Sequence, residues 1–460
     1  MKKIMTIAAA SLMLASCGLY NKYERPAEVN TQGLIRDAVS DADTLAVNTD
    51  ENFGQLPWRE LFTDPQLQSL IETALENNTD LRNAALNVKM MRDMLTVSKL
   101  AFLPSVAIAP SGTLASFDGA APSKTYQLPV SASWNVDLFG NILSQKRSAQ
   151  MKLLATKDYQ VAVQTQIVCG VANLYYTLLM LDEQLAIVTD MEALTKQTWE
   201  MMQLQNQLGM VRSTGVQSAE ASYYSVQSQA IDLRRQIREM ENSMSLLLNE
   251  PGHQIARSQL ASQQLPRQFA VGVGLQLLSN RADVHAAEMQ LAQCFYDVET
   301  ARSRFYPNIN VTGTAMFTNS AGGAVINPGK WLLSAVGQLT QPIFQHGQIV
   351  AGLKVAKAQQ EQAFNTWQNT ILKAGNEVSN ALLQYNSSAE KSELEARRVE
   401  LLRKTVDDTQ LLYKSKGSSY LEVLQAQSGL LNARISKVQN DFTKMQAVVN
   451  LYQALGGGSK

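Results

Sequence analysis

The sequence predicts a mainly α protein with a small β part, in which one unit, a β-hairpin followed by a long helical hairpin, occurs twice. Three observations lead to this prediction. Landmark residues recur at a nearly constant offset, and within each copy the hydrophobic period changes from two to about 3.5. In addition, the stretches 140–208 and 347–415 contain no proline, which favours long helices.

Residues 1–16 have the pattern of a secretory signal peptide. Two lysines precede an apolar stretch, 4–15, that is too short to cross a membrane as a helix. The tetrapeptide "LASC" (14–17) resembles the bacterial lipoprotein box, which implies that Cys17 is lipidated and becomes the first residue of the mature chain. Gly18 in place of an aspartate favours the outer membrane as the address. The alternative is an ordinary signal peptide that contains a cysteine.

Composition excludes some classes of partner. The chain has 40 basic residues (lysine and arginine) and 40 acidic residues (aspartate and glutamate). The formal net charge is therefore zero and does not indicate a nucleic-acid partner. Besides Cys17, only Cys169 and Cys294 are present, too few for a disulfide framework. Both lie in helical patterns, so we expect buried single thiols, with a bridge as the alternative. No apolar run after residue 15 could form a transmembrane helix, so any membrane span must be made of strands.

Landmark residues align the two copies with offsets of 203, 207 and 208 residues: Pro104 with Pro307, Gly140 with Gly347, and Gly209 with Gly417. The predicted organisation is therefore a signal peptide (1–16), a lipidated N-terminal segment (17–60), a first repeat (61–250), a linker (251–280), a second repeat (281–455) and a tail (456–460).

Alternation of apolar and polar residues predicts a β-hairpin in each copy, at about 104–139 and about 307–345. The connections 118–124 and 319–330 have turn composition. The predicted strands are about 10–14 residues long, which is close to the length that a tilted strand needs to cross a membrane. Aromatic residues also lie near the strand ends, as in an interfacial girdle: Phe102, Tyr126, Phe139, Phe305, Tyr306, Trp331 and Phe344.

A hairpin resting on a soluble core is the alternative interpretation of these strands, because it also has one apolar face. If the strands do enter lipid, four of them cannot close a barrel. An open edge leaves backbone groups unsatisfied in the membrane. Strands from other subunits would then have to complete the barrel.

Each hairpin is followed by a long helical stretch. Apolar residues recur at steps of three and four, which predicts a coiled-coil seam: Phe364, Trp367, Ile371, Ala374, Val378, Ala381 and Tyr385. Short glycine-bearing turns at 209–215 and 416–419 lead into returning helices at about 216–249 and 420–455.

The residues form no recognisable catalytic constellation. His253, His285 and His346 are the three histidines: two lie beside loop glycines, and His285 lies on a helix without a ligand at metal spacing. The glycine-rich stretch 321–329 lacks the lysine and the strand–helix context of a phosphate loop. We therefore expect a protein that is not an enzyme and that has no cofactor.

Five longer motifs follow one another along the chain: "WRELFTDPQLQSLIETALENNTDLRNAALNV" (58–88), "SWNVDLFG" (133–140), "NRADVHAAEMQLAQCFYDVETARSRFYPNI" (280–309), "YLEVLQAQSGLLNAR" (420–434) and "NLYQALGGG" (450–458). Together they resemble the TolC-like family of outer-membrane efflux channels, specifically its lipoprotein (OprM/NodT-like) branch. With the lipoprotein box, the resemblance extends over residues 14–458.

The resemblance implies a homotrimer. In this family, three sets of four strands close one twelve-stranded outer-membrane β-barrel, and the helices form a periplasmic coiled-coil α-barrel. An equatorial region surrounds its middle, here expected from 18–60, 251–280 and the tail. Closure of the barrel removes every strand edge. The polar strand face would then line the pore: Asn135, Asp137, Asn310 and Thr312.

Residues at the helical turns close the periplasmic aperture of this family at rest. Ungapped alignment places Tyr413 on the family's tyrosine and Glu422 on an aspartate of its constricting rings. Gln425 replaces another aspartate there, and Ser418 replaces an arginine. Gly215 replaces a further aspartate, so Ser418 and Gly215 cannot form the family's ionic latch. Three Glu422 carboxylates would form a cation-selective ring; a solvated helix charge is the alternative.

The expected function is the exit duct of a tripartite efflux pump. The resemblance implies three partners besides the homotrimer itself: a periplasmic adaptor, an inner-membrane proton-driven transporter and outer-membrane lipid. The alternatives are the duct of a type I protein secretion system and, in a different class, a non-transporting coiled-coil envelope lipoprotein. The last of these needs no lipid-facing alternation such as that of 126–138.

Overall fold

The computed structural model describes residues 21–26, 53–116, 118–119, 121–264, 281–321, 324–415, 417 and 419–458, with the side chains of 321 and 324–328 excluded. The signal peptide, Cys17 and Ser418 lie outside the described residues. So do 27–52 and 265–280, which belong to the predicted equatorial segments.

Eight α-helices occur in the described part of the chain: α1 (Trp58–Leu61), α2 (Pro65–Asn77), α3 (Thr79–Leu100), α4 (Asn141–Gln207), α5 (Ser213–Leu248), α6 (Ala282–Ser303), α7 (Gln348–Lys414) and α8 (Tyr420–Ala454). Five strands accompany them: β1 (Ser105–Ile108), β2 (Ser111–Ala115), β3 (Ser123–Val136), β4 (Asn308–Ala321) and β5 (Ala324–Thr340). Single 3₁₀ turns occupy Phe53–Gln55 and Leu260–Ser262.

The long helices of the two halves match in order and length. Helices α4 and α7 each have 67 residues, α3 and α6 each have 22, and α5 and α8 have 36 and 35. This agreement confirms the predicted fold class, a duplicated β-hairpin with a long helical hairpin. The corner from strand to helix is also repeated. Gly140 and Gly347 immediately precede α4 and α7 with φ of 69° and 77°, a conformation that glycine adopts without strain.

The strands form one antiparallel sheet in the order β1-β3-β4-β5, with β2 also paired to β3. Every second residue of a strand faces the same side of the sheet, and the pairing register aligns these sets between neighbouring strands. Trp134 lies opposite Val311, and Leu128 lies opposite Phe317, which itself lies opposite Trp331. Because side chains alternate across a strand, this register gathers most of the apolar strand residues on one face, while Met316, Leu332 and Val336 lie on the other.

The structure corrects the predicted connection at 319–330. Strand β4 continues to Ala321 and β5 begins at Ala324, so only two residues separate the strands. The ladder shifts after Thr318–Lys330 and resumes at Ser320–Val325, which leaves 326–329 without regular partners. Pro328 lies in this interval, where a missing N–H costs no ladder hydrogen bond. Turn-forming residues thus mark an irregularity within the hairpin.

Two compact units divide the chain, and each takes segments from both halves. The first, here the strand unit, consists of 1–29, 86–158 and 285–369, and contains the sheet. The second, here the helical unit, consists of 30–85, 159–284 and 370–460. The main hydrophobic core lies in the helical unit, where Tyr452 packs edge-on against Phe53 and Phe62. Its hydroxyl donates to the Leu56 carbonyl at 2.6 Å.

A polar network beside this core is centred on Asp64, the N-cap of α2. The carboxylate accepts hydrogen bonds from the Tyr175 hydroxyl and the Gln263 amide, both at 2.7 Å, and from the Ser258 hydroxyl at 3.1 Å. Burial alone would raise the pKa of Asp64, but these bonds and one from the Gln66 backbone hold it below its ordinary value. The network therefore stabilises the folded state above about pH 4, and its contribution declines as Asp64 protonates at lower pH.

We predict that Asp64→Ala lowers the free energy of unfolding by roughly 2–4 kcal/mol at pH 7, because it removes a helix cap and leaves buried donors unsatisfied. Chemical unfolding of the detergent-solubilised protein, followed by circular dichroism, measures the change. Asp93→Ala, at an exposed position within α3, is the matched control and should change stability by less than about 0.5 kcal/mol. Equal effects of the two substitutions would contradict the prediction.

Candidate functional site: a two-faced sheet and the helical turns

The apolar face of the sheet is exposed. Trp331, Leu333 and Leu339 are 69%, 77% and 66% accessible on β5, and Val106 and Ile108 on β1 are similarly open. No described part of the chain covers this face. A soluble hairpin would bury it against a core, so the exposure speaks against that alternative.

Aromatic side chains lie at both ends of the sheet. At the end carrying the hairpin connections, the Phe317 ring contacts those of Tyr126 and Trp331, with centroids 6.1 and 5.8 Å away. At the end joined to the helices, Phe139 and Tyr306 stack at 5.0 Å. Such paired aromatic belts are typical of strands that cross a bilayer.

The four predicted pore-lining residues lie at the helix-joined end of the sheet. Asn135, Asp137 and Asn310 line an open cavity of about 480 Å³ between the strand ends and the starts of α4 and α7. Thr312 lies further along β4, opposite Ser133, on the same face as Asn310. The Asn310 side chain accepts a hydrogen bond from the Ser133 hydroxyl at 3.0 Å.

Asp137 has a second role that the sequence did not suggest. Its carboxylate accepts a hydrogen bond from the Leu143 backbone N–H at 2.8 Å, in the first turn of α4. A negative charge at a helix N-terminus is favourable because four N–H groups there lack helical partners. Asp137 therefore fixes the corner between strand and helix as well as placing charge at this cavity.

The two helical turns are closed by local hydrogen bonds. At the end of α4, Gly209 has φ of 72°, and the Met210 N–H donates to the Gln205 carbonyl at 2.9 Å. At the end of α7, the Gly417 N–H donates to the Leu412 carbonyl at 2.8 Å. Both patterns satisfy carbonyls that a helix end leaves open.

Tyr413 connects the two turns. Its hydroxyl donates to the Gln205 side-chain oxygen at 2.5 Å and lies 3.2 Å from the Met202 sulfur. Gly215 lies at the same junction, since a Cβ there would be 3.0 Å from Met202 Cε and 3.9 Å from the Tyr420 ring. The structure therefore brings Tyr413 and Gly215 together on Met202, and neither Met202 nor the second partner of Tyr413, Gln205, was identified by sequence reasoning.

Burial raises the pKa of both tyrosines at this junction. For Tyr413, burial is the largest cause of the rise in pKa. The pKa of Tyr420 rises to about 12, and nearby Tyr413 adds to the shift. Both hydroxyls stay protonated at physiological pH, so this junction does not respond to pH there.

Glu422 is exposed but engaged within its own helix. The Ser419 side chain is the N-cap of α8, accepts from the Glu422 N–H at 3.4 Å and donates to its carboxylate at 3.0 Å. The sequence signature Ser-x-x-Glu could have revealed this capping arrangement. Gln425 lies one turn further on, also exposed. Ser418, the remaining aperture residue, lies outside the described residues.

No cluster of three histidine, cysteine, aspartate or glutamate side chains suited to a metal occurs in the described ranges. Cys169 and Cys294 are unpaired thiols, as predicted; Cys169 is buried and Cys294 half-buried. Burial raises the pKa of Cys169 to about 12, which makes it unreactive.

None of the helices in the described ranges combines the length and the apolar character needed to cross a membrane.

Comparison with known proteins places these features in context. The family model for outer membrane efflux proteins matches residues 70–250 and 274–457. The cation efflux system protein CusC of Escherichia coli K12 is 27% identical over 455 residues, covering 97% of this chain and 98% of CusC. SilC of Salmonella typhimurium, described as a probable outer membrane lipoprotein, is 26% identical over 467 residues, covering 99% of this chain and 98% of SilC.

Among solved structures, the open state of the MtrE outer membrane channel of Neisseria gonorrhoeae matches with a TM-score of 0.84 at 25% identity. The match covers 96% of this chain and 98% of that one. The similarity thus extends over nearly the whole of both chains, strands and helices included.

We predict that Tyr413→Phe loosens the two turns, because it removes the hydroxyl that donates to Gln205. Loss of one such hydrogen bond should make amide exchange near residues 205–215 roughly 2- to 13-fold faster. Hydrogen–deuterium exchange measures this change. Tyr159→Phe is the matched control, because Tyr159 is an exposed tyrosine on α4. Unchanged exchange in Tyr413→Phe would show that the contact does not hold the turns.

Proposed function

The chain belongs to the outer membrane efflux protein family, and on this premise we propose that three copies of it form the exit duct of a tripartite efflux pump. The duct is passive. It conducts what a transporter in the inner membrane delivers through a periplasmic adaptor, and its own residues carry no catalytic step.

One observation carries the trimer proposal. The sheet has an exposed apolar face, and within the described strands its two outer edges, on the β1–β2 side and on β5, have no partner. In lipid, each unpaired backbone group costs several kcal/mol, so such a sheet cannot enter a bilayer alone. Pairing β5 of one copy with β1 and β2 of the next removes every edge, and three copies complete twelve strand positions.

The polar face of the sheet becomes the pore wall in this assembly. Ser131, Ser133 and Asn135 on β3 share that face with Asn310 and Thr312 on β4. These side chains keep hydrogen bonds in water and present no apolar barrier. The rings at the strand ends then lie at the two membrane interfaces.

The proposed duct needs two protein partners, a transporter and an adaptor. A passive channel needs a source of free energy, which a proton-driven transporter of the inner membrane supplies. A periplasmic adaptor docks at the helical turns. A coiled-coil spacer has no use for a lipid-facing sheet, so the exposed apolar face favours the duct.

Cys17 is proposed as a lipid anchor in the outer membrane. The "LASC" motif supports it, and so does the name of SilC, a relative that resembles this chain along its whole length. With twelve strands in the bilayer, the lipid is a second anchor rather than the means of attachment.

The aperture proposal concerns Glu422. In a trimer, three copies of this exposed carboxylate meet near the axis and favour cations. Gln425, one helical turn further, lines the same constriction without a charge. Gly215 and Ser418 cannot form an ionic latch, so the contact of Tyr413 with Gln205 holds the turns at rest.

We predict that Val130→Arg abolishes insertion of the trimer, because Val130 lies on the apolar face near the middle of β3. A buried arginine there costs about 2–4 kcal/mol per copy. Ser131→Arg is the matched control, since it adds the same charge one residue away on the polar face. Outer-membrane fractionation and planar-bilayer recording measure insertion and conductance. Equal behaviour of the two variants would contradict the assignment of the faces.

We predict that Glu422→Gln and Glu422→Ala both reduce cation selectivity in planar-bilayer recordings of the trimer. Glutamine retains an acceptor for the Ser419 hydroxyl, so only the alanine variant should also weaken the cap of α8. Selectivity unchanged in both variants would reject the charged ring, while a loss confined to Glu422→Ala would assign the effect to capping.

A further inference from the structure

A short N-terminal segment, Asn21–Pro26, is bound to the helices of the strand unit. The Asn21 carbonyl accepts a hydrogen bond from Arg147 of α4 at 3.2 Å. The Tyr23 N–H donates to the Tyr296 hydroxyl of α6 at 3.2 Å, and the Tyr23 ring lies edge-on to Phe295 at 6.0 Å. Contacts thus extend over the whole segment.

The strongest contact joins Arg25 to Glu288 of α6. The guanidinium Nε and Nη2 donate to the two carboxylate oxygens at 2.8 and 2.6 Å, a bidentate geometry. The Glu288 side chain is only 6% exposed, so the pair is shielded on the carboxylate side. Without Arg25 this buried carboxylate would have no counter-charge, and the segment would lose its fixed position.

The direction of the segment is set by these partners. Helix α6 ends at Ser303, a few residues before β4, so Tyr296 lies nearer the sheet than Glu288. Arg147 lies within the first two turns of α4, just after β3. The chain therefore runs along α6 away from the sheet, and the end at Asn21 is the end nearest the strands.

We propose that residues 21–26 form a clasp that holds the lipid anchor beside the strands, with Arg25–Glu288 as its lock, and that through this clasp the lipid speeds insertion of the strands into the membrane. This inference rests on the proposed function, in which Cys17 is lipidated and the sheet enters the outer membrane. The clasp residues act by positioning; none of them touches the transported substrate.

The tether length gives the physical reason. Cys17 is four positions before Asn21, so a closed clasp keeps the anchor within about 14 Å of its first contact. With the clasp open, the next described residue along the chain is Phe53, 36 positions after Cys17. Effective concentration falls roughly as the −3/2 power of tether length, so opening the clasp lowers it by up to about 27-fold.

The test follows the rate at which newly made full-length chains become outer-membrane trimers, by pulse labelling and native electrophoresis. Four chains are compared: wild type, Arg25→Ala, Cys17→Ser with an ordinary signal peptide, and the double variant. Arg235→Ala removes an exposed ion pair with Glu239 on α5 and is the matched control. The exchange of charges, Arg25→Glu with Glu288→Arg, tests whether the pair itself matters.

The expected result is that Arg25→Ala slows trimer formation by up to about 27-fold, that Cys17→Ser slows it at least as much, and that the double variant is no slower than Cys17→Ser. Charge exchange restores the rate, and Arg235→Ala leaves it unchanged. The clasp is overturned if Arg25→Ala matches wild type, or if it slows the unlipidated chain as much as the lipidated one. Wild-type chains that form no conducting trimer would instead overturn the proposed function.

Discussion

Every backbone N–H and C=O group that enters a bilayer must find its partner in protein, because the hydrocarbon core offers no water. The inner strands of the sheet meet that constraint, but the outer sides of β5 and of β1 and β2 have no described partner. Most other features follow from it. In the proposed trimer, the exposed apolar face meets lipid, further copies pair with the free edges, and the polar face surrounds a water-filled space.

The helices depend on the same arrangement through the corners of the sheet. Gly140 and Gly347 form the corner between each hairpin and the 67-residue helix that follows it. Asp137 caps the first of these helices. At the other ends of these helices, Gly209 and the Ser419–Glu422 cap close the turns. Local chemistry thus determines where each element stops, while tertiary packing of the helical unit supplies its core.

Much of this fold could be predicted from the sequence, because its strands and helices have periodic patterns of apolar residues. The alternation in 126–138 predicted the two faces, and the proline-free stretches predicted α4 and α7 within a residue at each end. The connection at 319–330 was placed wrongly because glycine and proline mark irregular strand pairing as well as turns. The contacts of Tyr413 with Gln205 and of Arg25 with Glu288 join residues 208 and 263 positions apart, and no local pattern reveals such pairs.

The most direct test of the account is disulfide cross-linking between the two outer edges of the sheet. A cysteine at Ser105 on β1 is combined in turn with one at each position from Trp331 to Thr340 on β5, in a chain whose Cys169 and Cys294 are replaced by alanine. We expect some pairings to join separate chains into covalent dimers and closed trimers, and nothing larger. Absence of inter-chain links at every position, or a ladder continuing beyond three chains, would contradict it.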